Sequence, residues 1–119
     1  MSDVVRDGAS RKLVWGADAS GRYRAREYFE GLRREERAKF EALFRRLADT
    51  GEIKDKTKFV KEPAGIYCFK WHSKRIACFF DGQEVVLIDG FGKKTNKSKR
   101  SRRRLETAAR LRAEYLKGK

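Results

Sequence analysis

The chain is short of the residues from which metal centres and disulfide frameworks are built. Its 119 residues hold two cysteines and one histidine. Cys68 and Cys78 show neither CxxC spacing nor a Cys/His pattern, so neither a zinc site nor a two-metal nuclease is expected, and no cofactor is implied. Both read as small buried hydrophobes, kept as free thiols in a reducing cytosol. No P-loop or dinucleotide fingerprint is present, and no Ser-His-Asp grouping. The N-terminus lacks the apolar segment of a secretory signal, and no apolar run is long enough to span a bilayer. The expectation is a cytoplasmic protein with no membrane partner. There is no internal repeat and no low-complexity linker. Acidic residues are also scarce. Against 31 Lys plus Arg stand 17 Asp plus Glu, a formal net charge of +14. Such a field attracts polyanions and speeds encounter with them, so nucleic acid is the leading partner class. The bland alternative is a basic protein whose charge does nothing specific.

The length fits one domain, residues 1–119, able to bury a core without staples. Eight Phe, four Tyr and two Trp supply much of that core. Residues 66–97 dominate the pattern. They read as three short strands rich in Val, Ile, Phe, Tyr and Trp, joined by tight turns. Asp81-Gly82 is a strong hairpin signal because glycine tolerates positive φ. The third run, Glu84 to Phe91, leads into Gly92-Lys93-Lys94-Thr95-Asn96-Lys97.

Upstream, residues 1–10 read as a frayed start and Arg11–Gly16 as a first strand. Asp18 and Ser20 carry helix-start chemistry. Ala25, Tyr28, Phe29 and Leu32 recur at helical spacing over residues 22–32. Phe40, Leu43, Phe44, Leu47 and Ala48 do so over residues 35–50, with Gly51 placed to end the helix. Residues 52–65 read as a basic connector with Phe59 and Val60 turned inward. Residues 98–117 read as a basic helix with a narrow stripe of Leu105, Ala108, Ala109, Tyr115 and Leu116. Its arginine-rich start suits a solvated helix end, a tail or a phosphate-binding surface.

Chemistry concentrates at strand ends. Lys70, Lys74, Arg75, Lys93 and Lys94 are cations there, interleaved with Tyr67, Phe69, Trp71 and Phe91. Cations bind phosphates, and aromatic faces stack on unpaired bases. RNA can be cut without metal when a 2′-hydroxyl attacks its own phosphate. Clustered Lys and Arg would stabilise the charge that develops. A histidine or a lysine of depressed pKa would move the protons. His72 is the one histidine, and it reads equally as a solvated turn residue. Strand register decides the geometry. A three-residue turn, His72 to Lys74, sets Lys70 and Arg75 on opposite faces. A four-residue turn, Trp71 to Lys74, pairs them on one face. The sequence leaves both open.

Three runs carry a likeness to a known family: Gly65-Ile66-Tyr67-Cys68-Phe69-Lys70, then Arg75-Ile76-Ala77-Cys78-Phe79-Phe80-Asp81-Gly82, then Val85-Val86-Leu87-Ile88 leading to Phe91-Gly92-Lys93-Lys94-Thr95. With the order strand, helix pair, meander, basic helix, the chain resembles the RelE/ParE toxin superfamily over roughly residues 11–117. It is most similar to the HigB-like, phage-derived Gp49-like branch, whose distinctive motif is an aromatic followed by Lys-Lys-Thr. Cys68 departs from the branch, where Glu is frequent, and the segment after Lys97 is richer in arginine.

The resemblance implies an α/β (α+β) fold of the RelE type. A small, mostly antiparallel twisted sheet would carry an N-terminal helix pair on one face, with a C-terminal basic helix. It implies a type II toxin that cuts mRNA on the ribosome without metal, neutralised by an antitoxin, a HigA-like helix-turn-helix protein. The resemblance implies Lys70, Arg75, Lys93 and Lys94 as catalytic positions, and His72, whose unperturbed pKa suits proton transfer, completes the expected catalytic set. Lys74, Trp71, Lys97, Arg100 and Arg102 are the expected RNA contacts. The alternatives are a ParE-like gyrase inhibitor and a non-catalytic RNA- or ribosome-binding protein.

Overall fold

Strand β5 (Lys74–Asp81) is flanked on both sides by antiparallel neighbours, β4 (Tyr67–Trp71) and β6 (Glu84–Gly92). The computed structural model describes residues 3–92 and 99–118, without the side chains of residues 99–101. The meander expected over residues 66–92 is therefore present. Its second turn carries Gly82 at φ 62°, with Asp81 paired to Glu84. Its first turn is two residues long, His72-Ser73, and pairs Trp71 with Lys74 and Lys70 with Arg75. This is the register that puts Lys70 and Arg75 on one face. His72 adopts φ 52°, the left-handed conformation that a two-residue hairpin loop favours.

Two strands extend the sheet beyond the meander in ways that the residue pattern did not show. The segment read as a frayed start contains β1 (Val4–Asp7), which pairs antiparallel with β2 (Lys12–Trp15). The basic connector contains β3 (Phe59–Lys61), which pairs with β4. Strand β2 lies parallel to β6, so the six-stranded sheet is mixed, in the order β1-β2-β6-β5-β4-β3. It is open, and with its helices it makes an α+β fold.

Helices α1 (Arg24–Glu30) and α2 (Arg34–Thr50) cover one face. The stripe of α2 enters the core at Phe40, Phe44 and Leu47, all nearly inaccessible. Phe44 meets Phe69 of β4 edge-on, ring centroids 5.0 Å apart, and Phe29 of α1 at 5.8 Å. Gly51 ends α2 at φ 85°, its N–H donating to the Leu47 carbonyl. Asp18 acts differently from the expected helix start. Its Oδ1 accepts from the Ser20 and Arg22 N–H groups and the Ser20 hydroxyl, ordering the loop, while the helix begins after Tyr23.

The third helix, α3 (Lys99–Lys117), covers the other face through Ala108 and Leu111, against Val14, Ile66, Cys68, Phe79, Val86, Ile88 and Phe91. Leu111 is a core residue that the stripe read from the sequence omitted. Cys68 lies in this layer and Cys78 in the other, both buried and unbridged. A bulge opposite Ala77 and Cys78 leaves Ile88 without a cross-strand partner.

Candidate functional site at the hairpin end

Alternation along a strand sends neighbours to opposite faces, and this divides the predicted cations at the His72-Ser73 turn. Lys70 pairs with Arg75, and Arg75 with Phe91, on the α3 side of the sheet. Trp71 and Lys74 fall on the α1–α2 side.

Arg75 is 8% exposed. Its Nη1 donates to the carbonyls of His72 (2.5 Å) and Lys74 (2.9 Å), so the guanidinium braces the turn from inside. Burial pulls its pKa below the ordinary arginine value. Lys70 is half-buried and has no ion-pair partner among the described residues. His72 is exposed on the turn, its ring edge-on to Trp71 at 4.4 Å.

Lys74 is not a free cation. Its Nζ lies 3.5 Å from Oε2 of Glu36, a residue only 8% exposed. The other oxygen of Glu36, Oε1, accepts the Arg33 N–H at 3.0 Å. That bond, opposed by desolvation and helped by Lys74, lowers the Glu36 pKa. One carboxylate thus ties the start of α2 to the start of β5. Over Trp71 stand two further cations, Lys39 Nζ at 5.0 Å and Lys58 Nζ at 5.9 Å from the ring centroid.

Of the remaining predicted residues, Arg102 is exposed on α3. Lys93, Lys94 and Lys97 lie outside the described residues, as does the Arg100 side chain. Gly92, just before the lysines, is the cross-strand partner of Lys74, so β6 ends beside the turn. Among the described side chains of the arginine run that follows, Arg104 is engaged. Arg104 Nη2 lies 3.2 Å from Oδ2 of Asp89, whose Oδ1 is 3.4 Å from Arg24 Nε and accepts the Gly90 N–H. Asp89 is 1% exposed, and burial raises its pKa against the pull of the two arginines.

The residue pattern missed Glu36, Lys39, Lys58, Asp89 and Arg104 as parts of this end of the molecule. Glu36 lies in the first turn of α2, where an acid suits the helix N-terminus, but its lysine partner is 38 positions away. Nothing in the local sequence marks Lys39 or Lys58.

Fold and site together define a small basic α+β domain whose central hairpin gathers cations at one end of a mixed sheet. The model of the phage-derived Gp49-like protein family matches residues 27–113. The chain belongs to that family, and through it to the RelE/ParE-like toxin superfamily. A comparison with curated proteins finds no match. Among the described residues, no helix is long and apolar enough to cross a membrane.

Proposed function

We propose that the chain is the toxin of a type II toxin–antitoxin pair, a metal-independent endoribonuclease that cuts mRNA on the ribosome and is held inactive by a cognate antitoxin protein. The observation that carries this reading is the Lys70–Arg75 cross-strand pair at the hairpin end, in a chain of net charge +14. In this reading a 2′-hydroxyl attacks the adjacent phosphate. Lys70, Arg75 and the Lys93–Lys94 pair meet the negative charge that develops on the phosphoryl oxygens. Arg75 contributes position as well as charge, because its turn contacts hold the guanidinium in one place. His72, exposed on the turn, exchanges protons with the entering and leaving oxygens.

One feature favours a second reading, a protein that binds RNA or the ribosome without cutting. Arg75 is buried and Lys74 is paired, which leaves fewer free cations than the sequence promises. Induced expression with mapping of mRNA 5′ ends separates the two. New ends that depend on translation are expected, and Lys70→Ala should reduce their rate of appearance by roughly a hundredfold. Arg75→Ala and Lys94→Ala should relieve growth arrest. Growth arrest without new ends would support the binding reading, and inhibited supercoiling without them would support a gyrase inhibitor. Full toxicity of all three variants would refute the site.

A further inference from the structure

Trp71 brings together two lysines that form no salt bridge among the described residues, although Asp55 exerts an electrostatic pull on Lys58. Lys39 comes from α2, and Lys58 from the residue before β3. Glu36, a nearly buried carboxylate on this face, is already engaged by Lys74 and the Arg33 N–H. Two ammonium groups gathered at one ring repel each other, and each gains only a modest attraction from the half-buried indole. An anion between them relieves that repulsion. When the lysines turn to an anion, the indole face they covered becomes available.

The location gives this cluster its meaning. Trp71 directly follows Lys70 in β4, and its cross-strand partner Lys74 directly precedes Arg75. The cluster therefore lies one residue from the Lys70–Arg75 pair, on the opposite face of the hairpin end. A single strand passing around the turn would meet one after the other.

We infer that Lys39, Lys58 and Trp71 form a nucleotide subsite for single-stranded RNA next to the cleavage position, with the lysines taking the phosphate and the indole stacking on the base. This rests on the RNA reading above. Stacking on one aromatic face is tolerant of base identity, and the lysine contacts are salt-sensitive. The subsite thus places the strand without selecting a sequence.

Trp15 is the only other tryptophan, and it packs among Phe29 and Phe44. In a Trp15→Phe chain, indole emission reports Trp71 alone. The full chain is titrated with a ten-nucleotide oligouridylate bearing a 3′ fluorophore, at 50 mM and higher salt. Trp71 emission should quench in step with the fluorophore's anisotropy. Lys39→Gln and Lys58→Gln, made in the unaltered chain, should each weaken binding about threefold to tenfold and each reduce the slope of log K against log salt by about 0.7. Lys117→Gln, an exposed lysine at the end of α3 on the other side of the sheet, is the charge control. Binding by anisotropy with unchanged emission, and with Lys39 and Lys58 variants matching the control, overturns the subsite and leaves the RNA reading standing. No binding by anisotropy at any salt overturns both.

Discussion

Gly90 shows how closely one residue can be specified. A Cβ there would stand 2.4–2.5 Å from Tyr28 Cβ, Cγ and Cδ2. The Tyr28 ring lies on the bare backbone of β6, and burial pushes its hydroxyl up to about 12. Gly90→Ala should cost about 1–3 kcal/mol through overpacking, read as a lower midpoint in denaturant at unchanged slope. At Glu36 the sign of a pH effect can be worked out. Its folded pKa is depressed below the ordinary 4.5, first by the Arg33 N–H. Its contribution to stability is therefore present above about pH 4.5 and lost as pH falls through the folded value. Glu36→Gln should flatten the fall in stability with acid. An unchanged acid limb would mean that the carboxylate is not held as described. At this scale the sequence showed which residue types were present, but their partners lay too far along the chain to be read.

Among the elements, the helices were the most legible. Their apolar residues repeat at the helical period, and that pattern survives any tertiary arrangement. The two edge strands were not. Val4–Asp7 and Phe59–Lys61 are three to four residues long and exist because a neighbour supplies backbone partners. Their side chains hold too few positions to show an alternation. The arginine run at the start of α3 was open to three readings, and the fold separates its members. Arg104 reaches Asp89 and the Gly90 carbonyl, while Arg102 remains exposed. Asp89 connects β6 to both α1 and α3. Asp89→Ala should cost roughly 2–3 kcal/mol, because two arginines lose their partner and the Gly90 N–H its acceptor. Asp89→Asn, which keeps an acceptor, should cost less. Burial favours the neutral form of Asp89, so its own pH effect is opposite to that of Glu36. Stability is greatest below the unfolded value and falls as pH rises through the raised folded one. Equal losses in the two variants would show that hydrogen bonding there is unimportant.

For the whole molecule, charge is the dominant property. A net +14 on 119 residues acts before any specific contact forms. Association with ribosomes should be strong near 50 mM salt. It should weaken by about a thousandfold by 200 mM if around six phosphates are contacted, measured by co-sedimentation. Lys70→Ala should leave that slope changed by less than one contact. A salt-independent association would point to a protein surface instead of RNA. The family match begins at residue 27, yet β2, which precedes it, pairs with the central strand β6. The sheet is complete only with the residues ahead of the matched span.

The sequence by itself determined the helices, the Asp81-Gly82 turn, the basic character and the likeness to a toxin family. Each of these is written in local spacing, in turn chemistry or in composition. Tertiary structure decided which cations share a face, because a strand sends neighbouring side chains to opposite sides and a single turn residue reverses the assignment. It also decided that Lys74 is held by Glu36, that Arg104 is held by Asp89, and that Lys39 and Lys58 converge on Trp71. Those pairings join elements distant in the chain, and only packing of the helices on the sheet brings them within reach.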